Sequence, residues 1–179
     1  VSGGEPVRVS AQEVRDAADR RRRREARSRW TWLVVLAGVV LVADQAVKII
    51  VRGTMDPGDR IEVLPFLDIV RVTNEGIAFS LFTGNQTVIA IVTVLALTGI
   101  AVAMTGLVKR NPMAAVGAGL LAGGALGNLV DRVLHGGVTD FVKLTHWPAF
   151  NIADMAITAG AILIVLGLLE TSDHEDGPT

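Results

Sequence analysis

The chain has 179 residues, half of them apolar, with no cysteine, three histidines and a formal net charge of -1. A mean hydropathy of +0.47 marks either an unusually greasy globular domain or a membrane protein. Disulfides, thiolate metal sites and a cysteine nucleophile are excluded, and His135, His146 and His174 lack the spacing of a histidine metal centre, so no metal or other cofactor is expected.

The charge is unevenly placed. Residues 1–29 hold nine arginines, including the run Arg20 to Arg24, and predict a solvated, partly disordered extension that acts as a topology signal. Anionic lipid or nucleic acid would also suit such a run, but orientation is the preferred reading and no nucleic-acid partner is expected. Residues 30–51 (WTWLVVLAGVVLVADQAVKIIV) then predict the first of four membrane spans, since roughly 20 apolar residues cross a hydrocarbon core of about 30 Å. No small-residue cleavage site follows it, so it reads as a retained helix and not a signal peptide. Near its end Asp44 and Lys48 stand four apart on one face and can pair. With Lys48 snorkelling outward they would be a self-compensating ion pair with no further role.

Between residues 52 and 84 the turn signal MDPGD precedes RIEVLPFLDIVRVTNEGIAFSLF, which predicts a small sheet of two to four strands resting on the membrane surface. Its end, NEGIAFS, offers the Asn74 amide and Gly76, which a surface turn explains equally well. The second span is expected over residues 87–108 and the third over 113–134. In the third, Gly124, Asn128, Asp131 and Arg132 fall on one helical face. An amide and a guanidinium there suit holding a peptide backbone, although a network of small and polar residues with a purely structural role would carry the same pattern.

Residues 135–151 combine Gly136 and Gly137 with LTHWPAF and are expected to form an interfacial loop or helix, acting as a lid, a wedge or a simple anchor. The fourth span, residues 152–169, starts with Asn151 where an N-cap belongs and Asp154 three residues later, so capping accounts for that pair. Asp140, in the apolar context VTDFV, has no such explanation. Residues 170–179 carry four acids and read as a soluble end. Eleven basic residues lie in the extension and the 109–110 loop, against four in segments 52–84 and 135–151, which places both termini in the cytoplasm.

The polar clusters fall at the outer helix ends and in the outer loops. Two carboxylates converging in a partly dry site share a proton, as an aspartic protease requires: one takes a proton from water while the other polarises the scissile carbonyl. The dipole at the start of the fourth span makes Asp154 the expected initial base. These arguments leave open whether Asp131 or Asp140 is its partner. A proton or ion pathway would need polar groups at several depths, and the second and fourth spans are nearly free of them. A protease built on Ser80 and Lys48, and a scaffold with no catalytic role, compete with the aspartic pair.

The pieces DQAVK, NEGIAFS, GGALGNLVDRV, VTDFV and FNIAD, in this order over residues 44–154, resemble the bacterial lipoprotein signal peptidases, the signal peptidase II family. The resemblance implies a mainly α-helical bundle of four transmembrane helices with a small exoplasmic β-rich segment, in the cytoplasmic membrane, with its active site near the outer face. It implies an aspartic endopeptidase that needs no cofactor, works as a monomer among membrane lipids, and cleaves diacylglyceryl prolipoproteins just before the lipidated cysteine. Residue by residue, Asp140 and Asp154 correspond to the catalytic pair. Asp44, Lys48, Asn74, Asn128, Asp131, Arg132 and Asn151 correspond to supporting positions, with Gly124 beside them. Ile77 departs from the smaller residue frequent in the family and bears on fine specificity.

Overall fold

The computed structural model describes residues 10–75, 111–173, and residues 91–109 apart from 93, 96, 97, 100, 101, 103 and 104. Helix α1 (Ala11–Thr54) is continuous over 44 residues. Residues 11–29 are therefore helical, against the expectation of a partly disordered extension. The physical reason is local: arginine, alanine and glutamate are good helix formers, and Ser10 and Glu13 close a reciprocal capping box, with Glu13 N donating to Ser10 Oγ at 3.2 Å and Ser10 N to Glu13 Oε2 at 2.7 Å. Arg21 and Glu25 add an exposed i,i+4 pair, which contributes little.

After α1 the chain turns at Pro57 and Gly58, the latter at a φ of 93° that favours glycine. Strands β1 (Arg60–Leu64) and β2 (Leu67–Asn74) form an antiparallel hairpin, and β3 (Val138–Leu144) joins β2 on its other side, giving the order β1-β2-β3. The strand β3 corrects the expectation for residues 135–151. VTDFVKL is part of the sheet, because its β-branched and aromatic residues pair with β2, and a turn follows it over 145–147. The β2–β3 register is interrupted once: Ile69 opposes Val142 but Val72 opposes Asp140, so β2 carries one extra residue there. Val51 and Met55 at the end of α1 pack against Phe141, with Ile69, Val142 and Ile152 around them, which seats the sheet on the helices.

Helix α2 (Pro112–His135) begins at Asn111, whose side chain accepts from the N–H groups of Met113 and Ala114, and ends at the left-handed Gly136. Helix α3 is Ile152–Asp173. The bounds of α2 and α3 match the expected third and fourth spans closely, and α1, α2 and α3 are each long and apolar enough to cross a membrane. The described residues between 91 and 109 are helical, and the rest of the expected second span lies outside the described residues.

Glycines set how closely α2 approaches its neighbours. A Cβ on Gly123 would lie 2.6 Å from the Ala37 carbonyl oxygen, and one on Gly124 would lie 2.4 Å from that of Ala153. Gly119 meets Leu33 and Gly127 meets Asp44, so α2 runs parallel to α1; Gly117 meets Gly160, so it runs antiparallel to α3. The C-terminal ends of α1 and α2 and the N-terminal end of α3 therefore gather at one end of the bundle, where the sheet sits.

Candidate active site

At that end Lys48 is wholly buried. Its Nζ lies 2.8 Å from Asp44 Oδ2, 3.2 Å from Asp131 Oδ2 and 3.0 Å from Asn128 Oδ1, so three acceptors take the three N–H groups of the ammonium. The outward-snorkelling reading of Lys48 is thereby corrected: glycine contacts bring α2 close enough for its carboxylate to draw the amine inward. The second oxygen of Asp44 accepts from the Ala153 N–H at 3.0 Å, so this residue of α1 also caps α3.

Asp131 is buried and saturated. Its Oδ1 accepts from Arg52 Nη1 at 3.1 Å and Gln45 Nε2 at 3.2 Å, and its Oδ2 accepts from the Thr139 N–H at 2.8 Å as well as facing Lys48. It ties α1, α2 and β3 together. Asp140 and Asp154 have a different setting. Val72 opposes Asp140 across the sheet, so Asn74, two residues further along β2, is its diagonal neighbour on the same face. Asn74 Nδ2 donates to Asp140 Oδ2 at 3.1 Å, and Asn151 Nδ2 donates to Asp140 Oδ1 at 2.7 Å. Burial, and then the negative charge of Asp154, push the Asp140 carboxyl up to about 6, against the opposing hydrogen bonds from Asn74 and Asn151 and the charge of Lys48.

Asp154 accepts from Asn128 Nδ2 at 2.8 Å on one oxygen and from the Asn151 N–H at 3.2 Å on the other. Asn151 Oδ1 accepts in return from the Asp154 N–H at 2.9 Å, completing a reciprocal cap at the start of α3. Asn151 is thus a helix cap and also the link between the two carboxylates. Asp154 is partly exposed at the head of a groove of about 400 Å³. Trp147 and Phe150 border it, and it follows Met155, Thr158 and Ile162 along one face of α3.

The structure separates the two candidate partners of Asp154. Asp140 shares Asn151 with it, whereas Asp131 is enclosed by Lys48, Arg52, Gln45 and Thr139. Arg132 lies beside the pair, with Nη1 3.4 Å from the Asn128 carbonyl oxygen and a buried Nε that has no partner among the described residues. Gly124 packs against the first turn of α3 and does not line the groove. Sequence reasoning missed Gln45, Arg52 and Thr139; the spacing of 44, 48 and 52 on one helical face was the available signal for Arg52. Gly76, Ile77 and Ser80 lie outside the described residues. Among the described residues no cluster of three histidine or acidic side chains is placed to hold a metal ion.

The family profile described as Signal peptidase (SPase) II matches residues 36–170. The chain is 41% identical over 143 residues to a lipoprotein signal peptidase of Pelotomaculum thermopropionicum, covering 79% of this chain and 94% of that one. It is 43% identical over 141 residues to one of Rhodococcus jostii, covering 75% and 70%. A solved bacterial membrane enzyme, obtained by the in meso method, superposes with a TM-score of 0.74 at 36% identity, covering 83% of this chain and 94% of the other. These similarities and the three apolar helices among the described residues agree: the chain belongs to the signal peptidase II family of membrane-bound, aspartic-type peptidases.

Proposed function

We propose that the chain removes signal peptides from diacylglyceryl prolipoproteins, cutting just before the lipidated cysteine, with Asp140 and Asp154 as its catalytic pair. The observation that carries this reading is the sharing of Asn151 by two carboxylates, one buried and one opening on an apolar groove, at one end of a membrane bundle. One carboxylate takes a proton from water as the new C–O bond forms, and the other gives its proton to the scissile carbonyl oxygen. On collapse the C–N bond breaks, the leaving amine takes the first proton, and a hydroxyl of the tetrahedral carbon returns the second to the carboxylate that lost it. Asp44, Lys48, Asn128, Asp131, Arg132 and Asn151 hold the pair from the helices, Asn74 holds it from the sheet, and Gly124 sets the helix spacing.

A substrate whose acyl chains stay in the bilayer brings its scissile bond to the outer surface, so the sheet end is the outer end, and both termini are cytoplasmic. The arginine excess of residues 1–29 favours this orientation. Asn74 lies at the sheet end and Asn111 at the opposite end, and the described residues between 91 and 109 are helical, which supports a fourth span and a four-helix core over residues 30–169. The core acts as a monomer among membrane lipids, with residues 1–29 and 170–179 as cytoplasmic extensions. The test is turnover of a prolipoprotein, with and without its diacylglyceryl group, by wild type and by Asp140→Asn, Asp154→Asn and Asp131→Asn in detergent, with thermal unfolding in parallel. The first two variants should stay folded and lose at least about 10³-fold in rate, and Asp131→Asn should lose stability. Near-normal turnover by either of the first two overturns the assignment and makes Ser80 and Lys48 the next site.

A further inference from the structure

A pair of carboxylates in a dry site holds one proton among four oxygens. An amide side chain has two ends of similar shape, but a neighbour that can donate and never accept fixes which end is which. Lys48 is such a neighbour. The Asn128 atom 3.0 Å from Nζ must be the carbonyl oxygen, which turns Nδ2 toward Asp154 Oδ1 at 2.8 Å. The backbone N–H groups of α3 do the same from the other side. The Asp154 N–H fixes the Asn151 carbonyl, and the Asn151 N–H points at Asp154 Oδ2. Asp154 therefore receives two donors that cannot reverse, one of them backed by a buried ammonium and the other belonging to a helix N-terminus.

Asp140 is placed otherwise. It stands on a strand, nearly all of it is buried, and its donors are two neutral side-chain amides, that of Asn151, which the Asp154 N–H fixes as well, and that of Asn74; neither of the two is a backbone N–H. The charged groups around the pair are Asp44, Lys48 and Arg52 on α1, Asp131 and Arg132 on α2, and Lys143 on β3. Arg71 on β2 is turned to the Arg52 and Met55 carbonyls at the end of α1. Lys143 donates to the Trp147 carbonyl, and Arg52 is bound to Asp131. Among the described residues the direct hydrogen-bonded route from Lys48 to the pair runs through Asn128 to Asp154, and a longer one reaches Asp140 through Asn151, whose Nδ2 donates to the same Asn128 oxygen at 3.2 Å and to Asp140 Oδ1.

We infer that Lys48 is a positioning residue that fixes the polarity of Asn128, so that Asp154 is held as the charged base and the shared proton rests on Asp140. The inference rests on the proposed catalytic pair and adds the division of labour within it. Burial and the charge of Asp154, which raise Asp140 to about 6, act in the same sense.

The test is the pH profile of kcat/KM for wild type, Asn128→Ala, Asn74→Ala and Lys48→Met on a lipidated prolipoprotein. Removing a donor disfavours the charged form of the carboxylate it serves. Asn128→Ala should move the acidic limb up by about one pH unit and leave the alkaline limb in place, Asn74→Ala should move the alkaline limb up, and Lys48→Met, which removes a charge that also acts on Asp140, should move both limbs up. A merely structural role would lower turnover without moving either limb, and that result overturns the inference, as does the exchanged pattern in which Asn128→Ala moves the alkaline limb. If Lys48→Met does not fold, Asn128→Ala and Asn74→Ala still decide. Failure of the pair itself is separate, because it would show as turnover surviving Asp140→Asn or Asp154→Asn.

Discussion

Gly124→Ala adds one methyl group at the point where α2 touches the first turn of α3. The new Cβ would lie 2.4 Å from the Ala153 carbonyl oxygen, and ordinary contact begins at 3.4 Å, so α3 must retreat by about 1 Å. The atom in the way is backbone, one residue before Asp154, and it has no rotamer into which to escape. The same retreat stretches the Asn128 to Asp154 hydrogen bond from 2.8 Å to about 3.8 Å, beyond bonding distance. Overpacking of this kind costs about 1–3 kcal/mol of stability, and a misplacement of about 1 Å at a reacting group costs about 10²-fold in rate. Turnover of a lipidated prolipoprotein and thermal unfolding in the same detergent measure the two effects. Gly117→Ala is the control: its Cβ would lie 2.7 Å from the Gly160 carbonyl oxygen, a comparable clash about 10 Å further along α2. It should lose similar stability and keep most of its turnover. Near-normal turnover by Gly124→Ala, or equal loss by both variants, would refute the claim that this contact positions Asp154.

Three further outcomes are expected. Asp140 lies at 3.8 in its ordinary state and about 6 in the fold, so the folded protein holds an extra proton between those values and loses stability as pH rises through them. Asp140→Asn removes that loss, and thermal unfolding should show the variant more stable than wild type by roughly 1–3 kcal/mol above pH 7, with the gap closing below pH 4. Lys48→Met leaves Asp44 and Asp131 buried without their ammonium and should cost about 3–5 kcal/mol, partly restored by adding Asp44→Asn, as read by denaturation in detergent. Trp147 is an exposed rim of the groove at Asp154, so Trp147→Ala should raise KM several-fold while melting temperature changes little; an unchanged KM would mean that substrate does not use this groove.

Legibility followed range. The spans over 113–134 and 152–169 can be read to within a few residues because apolar length alone dictates them, and each has its stop or start written locally, in Gly136 and Asn151. The helix at 11–29 is concealed by its charge, which suggests solvation, although Ser10 and Glu13 carry the capping-box spacing. Strand β3 is hidden differently: VTDFVKL alternates too weakly for a period to show, and it becomes a strand because β2, far away in sequence, offers it an edge. Asn74, Asn128, Asp140, Asn151 and Asp154 are visible as motifs in order, but their contacts are not. Gln45 and Arg52 reach Asp131 across 86 and 79 residues, a separation at which no local pattern carries information.

The extra residue in β2 has a consequence for how this protein can change length. Without it, Asp140 would oppose residue 71, and Asn74 would turn to the other face of the sheet, away from the carboxylate. The hairpin therefore acts as a ruler whose parity matters more than its chemistry. Surface hairpins ordinarily accept single insertions and deletions, but between Ile69 and Asn74 each such change reverses which side chains meet the site. In the drift of related sequences this short stretch should keep its count of residues even where it exchanges their identities.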